Sequence, residues 1–186
     1  MNLKKITFAE YLRNIKKNIT INSHIVNKLE NLKKKIVNCK KNNKKIIIFG
    51  NGGSSAIASH FALDLTNVCN IRCVNFSNSE LITCFANDYG FENWIYKALN
   101  VYADDGDMLI LISSSGMSKN MINGIKKSKI KFSNIITFTG FKKNNTLKSL
   151  GDLSFYVKSN VYNIIENIHQ IWLLSLVDII SFDQRH

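Results

Sequence analysis

The sequence predicts a three-layer α/β domain in which a five-stranded parallel sheet carries helices on both faces. Three observations predict it. Short, β-branched apolar runs recur along the chain, segments with apolar residues at helical spacing separate them, and two of the runs stop abruptly in turns rich in glycine or serine. Strands separated by helices require right-handed crossovers, which set the strands parallel and cover both faces of the sheet. The 186 residues read as one domain over 1–186, with an N-terminal helical segment at 1–43 and an α/β core at 44–186. No proline, low-complexity linker or repeat marks a second domain.

Taken in order, Thr7 to Asn18 and Ser23 to Lys41 carry apolar residues at helical spacing, among them Phe8, Leu12 and Ile15, then Ile25, Leu29, Leu32 and Ile36. Ser23 is the expected N-cap of the second helix. Two helices ahead of the first strand cannot complete a parallel sheet, so they either cover one face or pack on a neighbouring subunit. From Lys45 the pattern alternates: strand Lys45 to Phe49, helix Ser54 to Asn67, strand Arg72 to Phe76, helices over Ser79 to Ala86 and Gly90 to Tyr102, and strand Met108 to Ile112. Helix Asn120 to Lys129, strand Asn134 to Thr139, short helix Asn145 to Leu150, strand Leu153 to Val157 and helix Tyr162 to Phe182 complete it.

Composition narrows the setting. No apolar run is expected to reach bilayer-spanning length, and the amino terminus MNLKKITFAEYL lacks a signal peptide's apolar stretch, so a cytoplasmic protein with no membrane partner is expected. Cys39, Cys69, Cys73 and Cys84 lack zinc-finger spacing and read as reduced thiols. The net charge of +12 comes largely from Lys16-Lys17, Lys33 to Lys45, Lys126 to Lys131 and Lys142-Lys143. These runs read as solvated helix faces and loops, so a nucleic-acid partner is not expected, while the positive potential suits a small anion.

The chemistry concentrates on two strand ends. Gly50-Asn51-Gly52-Gly53-Ser54-Ser55 turns the chain from strand to helix. Its glycines permit a tight turn, and Ser54 or Ser55 can cap the helix, leaving N–H groups for an anion. A turn with no ligand is the competing reading, since GNGGS is neither a dinucleotide fingerprint nor a P-loop. Ser113-Ser114-Ser115-Gly116-Met117-Ser118 ends a second strand in the same way, with more hydroxyls than capping needs. Ligands of parallel sheets bind beyond the carboxyl ends of the strands, where both turns lie. His60 and Asp64, four residues apart, share one face of the intervening helix, beside the Phe61 and Leu65 stripe.

With these residues in place the chain resembles a known family. GNGGSSAIASHFALDLT, Asn87-Asp88-Tyr89-Gly90, SSSGMS and IIENIHQIW look like the sugar isomerase (SIS) domain and, within it, the phosphoheptose isomerases. The resemblance spans about the whole chain and implies a flavodoxin-like sheet, a homotetramer built on the N-terminal helices, and aldose–ketose isomerisation of a sedoheptulose 7-phosphate-like sugar for surface-glycan synthesis. It places Asn51, Gly52, Gly53 and Ser54 beside the sugar, Ser113, Ser114, Ser115 and Ser118 on the phosphate, and Asp88 on a sugar hydroxyl.

It also implies one divalent metal, zinc in the family, with His60, Asp64 and Glu166 at the ligand positions. Three departures stand out: Asp64 replaces the family's Glu, Glu166 stands where the family has a metal-binding Gln, and Leu174 replaces a histidine that serves as ligand and general base. Leucine can do neither. His169 lies five residues earlier on the same helix, roughly 140° around it from Leu174. Asp64 and Glu166 therefore remain the candidate catalytic carboxylates for moving a proton between neighbouring carbons. A sugar-phosphate enzyme of other specificity, or a non-catalytic module associating with a replication initiator, are the alternative readings.

Overall fold

The computed structural model describes residues 6–20 and 22–185. The expected order of elements is found along the chain. α1 (Phe8–Ile19) and α2 (Ser23–Lys41) precede β1 (Ile46–Gly50), α3 (Gly53–Cys69), β2 (Cys73–Val74), α4 (Ser79–Tyr89) and α5 (Trp94–Tyr102). β3 (Met108–Ser113), α6 (Lys119–Lys127), β4 (Asn134–Thr139), α7 (Thr146–Leu150), β5 (Leu153–Tyr156) and α8 (Tyr162–Arg185) follow. All strand pairs are parallel, in the order β2-β1-β3-β4-β5. The order reverses between β1 and β3, and a crevice opens beyond their carboxyl ends at such a point.

Strand alternation divides the core in two. Ile46 and Ile48 of β1, with Met108, Ile110 and Ile112 of β3, face a layer made by α2, α3 and α8. Ile47, Phe49, Leu109 and Leu111 face Trp94, Ile95 and Leu99 of α5, Met121 of α6 and Leu147 of α7. Each fully buried aliphatic side chain contributes about 1.5–3 kcal/mol. At the opposite end of the sheet from the turns, buried Asp107 accepts the Lys45 and Asp104 backbone N–H groups (3.0 and 2.8 Å) and pairs with the Lys45 ammonium (2.6 Å).

Several boundaries differ from expectation, each for a local reason. Asn22, not Ser23, caps α2, its side chain accepting the His24 N–H. β2 has two residues rather than five, because beyond Val74 the Asn75 and Ser77 side chains bond to each other and Asn75 also bonds Ser59, drawing the chain off the sheet. Gly90, at φ +82°, ends α4, and a single 3-10 turn over Phe91–Asn93 delays the next helix to Trp94.

α1 opens with a reciprocal cap between Thr7 and Glu10 and rests on α8, yet buries no residue fully. α2 buries Leu32, Ile36 and Cys39 and covers one face of the core. Its Lys28 ammonium donates to the Ser154 carbonyl on the edge strand β5 (2.8 Å). The expectation that no apolar run is long enough to cross a bilayer needs correction: α8, with 24 residues, meets that test by length and composition. Over half of its apolar window, 56%, is packed inside the molecule, as in a core helix. The four cysteines are free thiols, three of them buried. Residues 1–5, on which the reading of the amino terminus partly rests, lie outside the described residues.

Candidate functional site

The β1 and β3 turns meet at the switch point. Gly52 adopts φ +54° and takes the N-cap position of α3 with no side-chain cap bond, so the expected capping by Ser54 or Ser55 does not occur. Ser54 is buried instead and its hydroxyl reaches the Glu166 carboxylate on α8, Oγ to Oε1 at 3.3 Å. Gly53 makes that approach possible: a Cβ there would collide with Glu166 Oε2 and lie 2.9 Å from its Cδ.

The second turn is held from within. Ser113 and Ser118 hydroxyls bond each other at 2.9 Å, the Gly116 N–H donates to Ser113 Oγ (3.2 Å), and the Met117 N–H donates to Ser115 Oγ (3.2 Å). Ser114 is buried, and its hydroxyl has no partner among the described residues. Gly116 sits at φ +64°, where a Cβ would run into the Asn145 side chain. Asn145 is itself buried; its amide donates to Thr139 Oγ1 (3.2 Å) and the Lys142 carbonyl (2.9 Å), while its oxygen accepts the Lys148 N–H (2.9 Å). A cavity of about 220 Å³ lies between the turns, lined by Asn51, Ser54, Ser113, Ser114, Ser115, Ser118, Tyr162 and Glu166. It therefore gathers most of the residues expected to hold the ligand. Hydroxyls, at the N-terminus of α6, make it a place for a compact anion.

Glu166 also lines a second cavity, of about 460 Å³, with Gly53, His60, Tyr11, Asn163, Asn167 and Gln170. The carboxylate is thus the wall shared between a hydroxyl-lined anion pocket and a wider, amide-rich space. His60 faces this second cavity and is paired through Nε2 with Asp64 Oδ2 at 3.1 Å, both side chains partly exposed. Asp64 lines neither cavity.

Two of the groupings that the resemblance implies are not brought together by these side chains. Among the described residues no three of His, Cys, Asp and Glu gather as ligands for one ion, so His60, Asp64 and Glu166 do not close around the implied divalent metal. The donor set is a carboxylate–imidazole pair and a separate, hydroxyl-bonded carboxylate. Asp88 lies exposed on the last turn of α4, accepting from Asn87 Nδ2 (3.0 Å), and lines neither cavity. His169 points into the core, its Nε2–H donating to the Thr139 carbonyl (3.2 Å), and burial pushes its pKa down to about 4. Leu174 is half-buried further along α8.

Sequence reasoning missed several residues, Tyr162, Asn163 and Asn167 of the cavity walls among them. Asn120 bonds Asn51, Asn145 seats the serine turn, and Tyr11 and Gln170 line the wider cavity. An asparagine two residues past SSSGMS was the one available signal for Asn120, whereas Tyr11 joins the site only through the packing of α1 on α8.

A family model described as SIS domain matches residues 7–140, which includes both turns, His60 and Asp64 but not α8. The chain is 32% identical over 154 residues to a phosphoheptose isomerase of Fusobacterium nucleatum, covering 80% of this chain and 79% of that protein. It is 34% identical over 152 residues to a probable phosphoheptose isomerase of Thermoplasma acidophilum, covering 77% and 82%. Among solved structures, the phosphoheptose isomerase of Neisseria gonorrhoeae is similar with a TM-score of 0.83 at 28% identity, over 93% of this chain and 94% of that one.

Proposed function

Since this chain belongs to the SIS domain family, we propose that it is a phosphosugar isomerase that interconverts the aldose and ketose forms of a seven-carbon sugar phosphate such as sedoheptulose 7-phosphate. The observation that carries the reading is Glu166, a carboxylate standing between a hydroxyl-lined pocket of phosphate size and a polar space wide enough for a sugar chain. The phosphate binds at Ser113, Ser114, Ser115 and Ser118, with Asn51, Gly52, Gly53 and Ser54 flanking the carbons next to it. Glu166 removes the proton from the carbon beside the carbonyl, an enediol forms, and the same carboxylate returns the proton to the neighbouring carbon. His60, tethered by Asp64, is the group on the cavity wall suited to carry the oxygen-bound proton between the two oxygens.

This reading places the enzyme in the cytoplasm, supplying precursors for lipopolysaccharide, capsule or another surface glycan, as a homotetramer assembled through its helices. The exposed Phe8 and Leu12 on α1, 91% and 63% accessible, support assembly through that helix. In such an assembly Asp88 reaches a sugar hydroxyl in a neighbour's site, and a neighbour's residues complete any divalent site begun by His60, Asp64 and Glu166.

The test is hydrogen exchange. In deuterated buffer the purified protein is expected to exchange the substrate hydrogen next to the carbonyl and to interconvert ketose and aldose. A protein that binds the sugar phosphate but never exchanges that hydrogen, with or without added divalent ions, is not this isomerase.

A further inference from the structure

The two turns of the site are tied to each other by one pair of side chains. Asn51 Nδ2 donates to Asn120 Oδ1 (3.1 Å), and Asn120 Nδ2 donates to Asn51 Oδ1 (2.9 Å), a closed ring of two amides. Asn120 is 2% exposed, lies two residues beyond Ser118 in the first turn of α6, and its oxygen also accepts the Met121 N–H (3.0 Å). It does not line the anion pocket; Asn51 does.

The inventory of the two amides decides what each can do. A carboxamide has two N–H donors and two acceptor positions. Asn120 spends both acceptor positions and one donor on Asn51 and on its own helix. Asn51 spends one donor and one acceptor position, leaving one of each at the edge of the cavity it lines. The ring uses the N–H and lone pair on one edge of the Asn51 amide, so the remaining N–H and lone pair lie on opposite edges, and either can take one hydrogen bond from a ligand hydroxyl or carbonyl oxygen.

We propose that Asn120 is a positioning residue that fixes Asn51 at a set distance from the serine turn, so that the pair reads the spacing between a phosphate ester and a sugar hydroxyl or carbonyl oxygen. The proposal rests on the isomerase reading for the chemical class of the ligand, and adds to it a residue that touches no substrate yet sets which sugar fits. Without Asn120, Asn51 is free to rotate and its hydrogen bonds to the sugar are made at the cost of ordering it. The serine turn keeps its own internal bonds and holds phosphate as before.

The experiment compares two ligands, inorganic phosphate and sedoheptulose 7-phosphate, by calorimetric titration of the wild type, Asn51→Ala, Asn120→Ala and the double variant. Each single substitution is expected to weaken the sugar phosphate about tenfold, the loss of roughly one hydrogen bond. The double variant is expected to be no weaker than the singles, and inorganic phosphate to bind all four within about twofold. Asn120→Asp, of the same shape and without the amide N–H that bonds Asn51, takes the place of the alanine variant should that one not fold. Equal losses for phosphate and sugar phosphate would show that Asn120 merely supports the fold, and losses that multiply in the double variant would show that the two residues act separately; either overturns the proposal. A wild type that binds inorganic phosphate but no sugar phosphate overturns the isomerase reading itself, and the proposal with it.

Discussion

The serine turn after β3 and the open face around His60 are built on different principles. The turn is a closed local structure: three consecutive serines, a left-handed glycine and the first turn of α6 bond mainly to one another, and Asn145 supports them from behind. The His60 face assembles side chains from α1, α3 and α8 around an open cavity, and its ion pair is partly exposed. A binding loop can therefore be closed on itself within one chain while the face beside it stays open. Glu166 alone belongs to both regions.

Four perturbations test this contrast, beginning with the largest. Glu166→Gln retains the side chain's size but removes its basicity, so proton exchange at the substrate carbon is expected to fall about 10³-fold, with sugar-phosphate affinity changed little. An equal loss of affinity would place Glu166 with the binding turn instead.

His169 gives the next effect, on stability. Its pKa is about 4 in the fold, below the ordinary value of 6.5 for the unfolded chain, so between these values the unfolded state binds more protons. Its contribution is therefore complete above pH 6.5 and is lost as the pH falls through 4, on the order of 3 kcal/mol. Denaturant unfolding followed between pH 7 and pH 4 should show this slope, and His169→Gln should remove it.

Gly116→Ala places a Cβ at φ +64° against Asn145 and is expected to cost about 2 kcal/mol, with a lower melting temperature and weaker phosphate binding. Asp64→Asn should do least to the fold, about 0.5 kcal/mol or less for a partly exposed pair one helical turn apart. Its effect on exchange kinetics should stay well below that of Glu166→Gln. An equal kinetic loss would move Asp64 into the proton-transfer centre despite its place outside both cavities.

Much of this was legible in the sequence because the signals were local. The IIIF run before GNGGSS and the MLILI run before SSSGMS locate two strands and two turns at strand carboxyl ends, and the fold then sets the two side by side at the switch point. What was not legible depends on partners distant in sequence. Ser54 looked like a cap because serine commonly caps helices, but Glu166, more than a hundred residues away, claims its hydroxyl. Asn120 and Asn145 were two asparagines in an asparagine-rich chain until packing set one against Asn51 and the other under Gly116. The extent of β2 turned on Asn75 and Ser77, whose side chains compete with the backbone ladder in a way that apolar patterning does not register.

The margins of the sheet carry a consequence for how this molecule meets others. One border strand offers only two paired residues, and on the other an ammonium from α2 already occupies a main-chain oxygen. Neither border is a good template for a foreign strand, which protects a core this rich in isoleucine from edge-to-edge aggregation. Recognition by this molecule is thereby left to side chains on helices and turns, where single substitutions can adjust it while the sheet stays as it is.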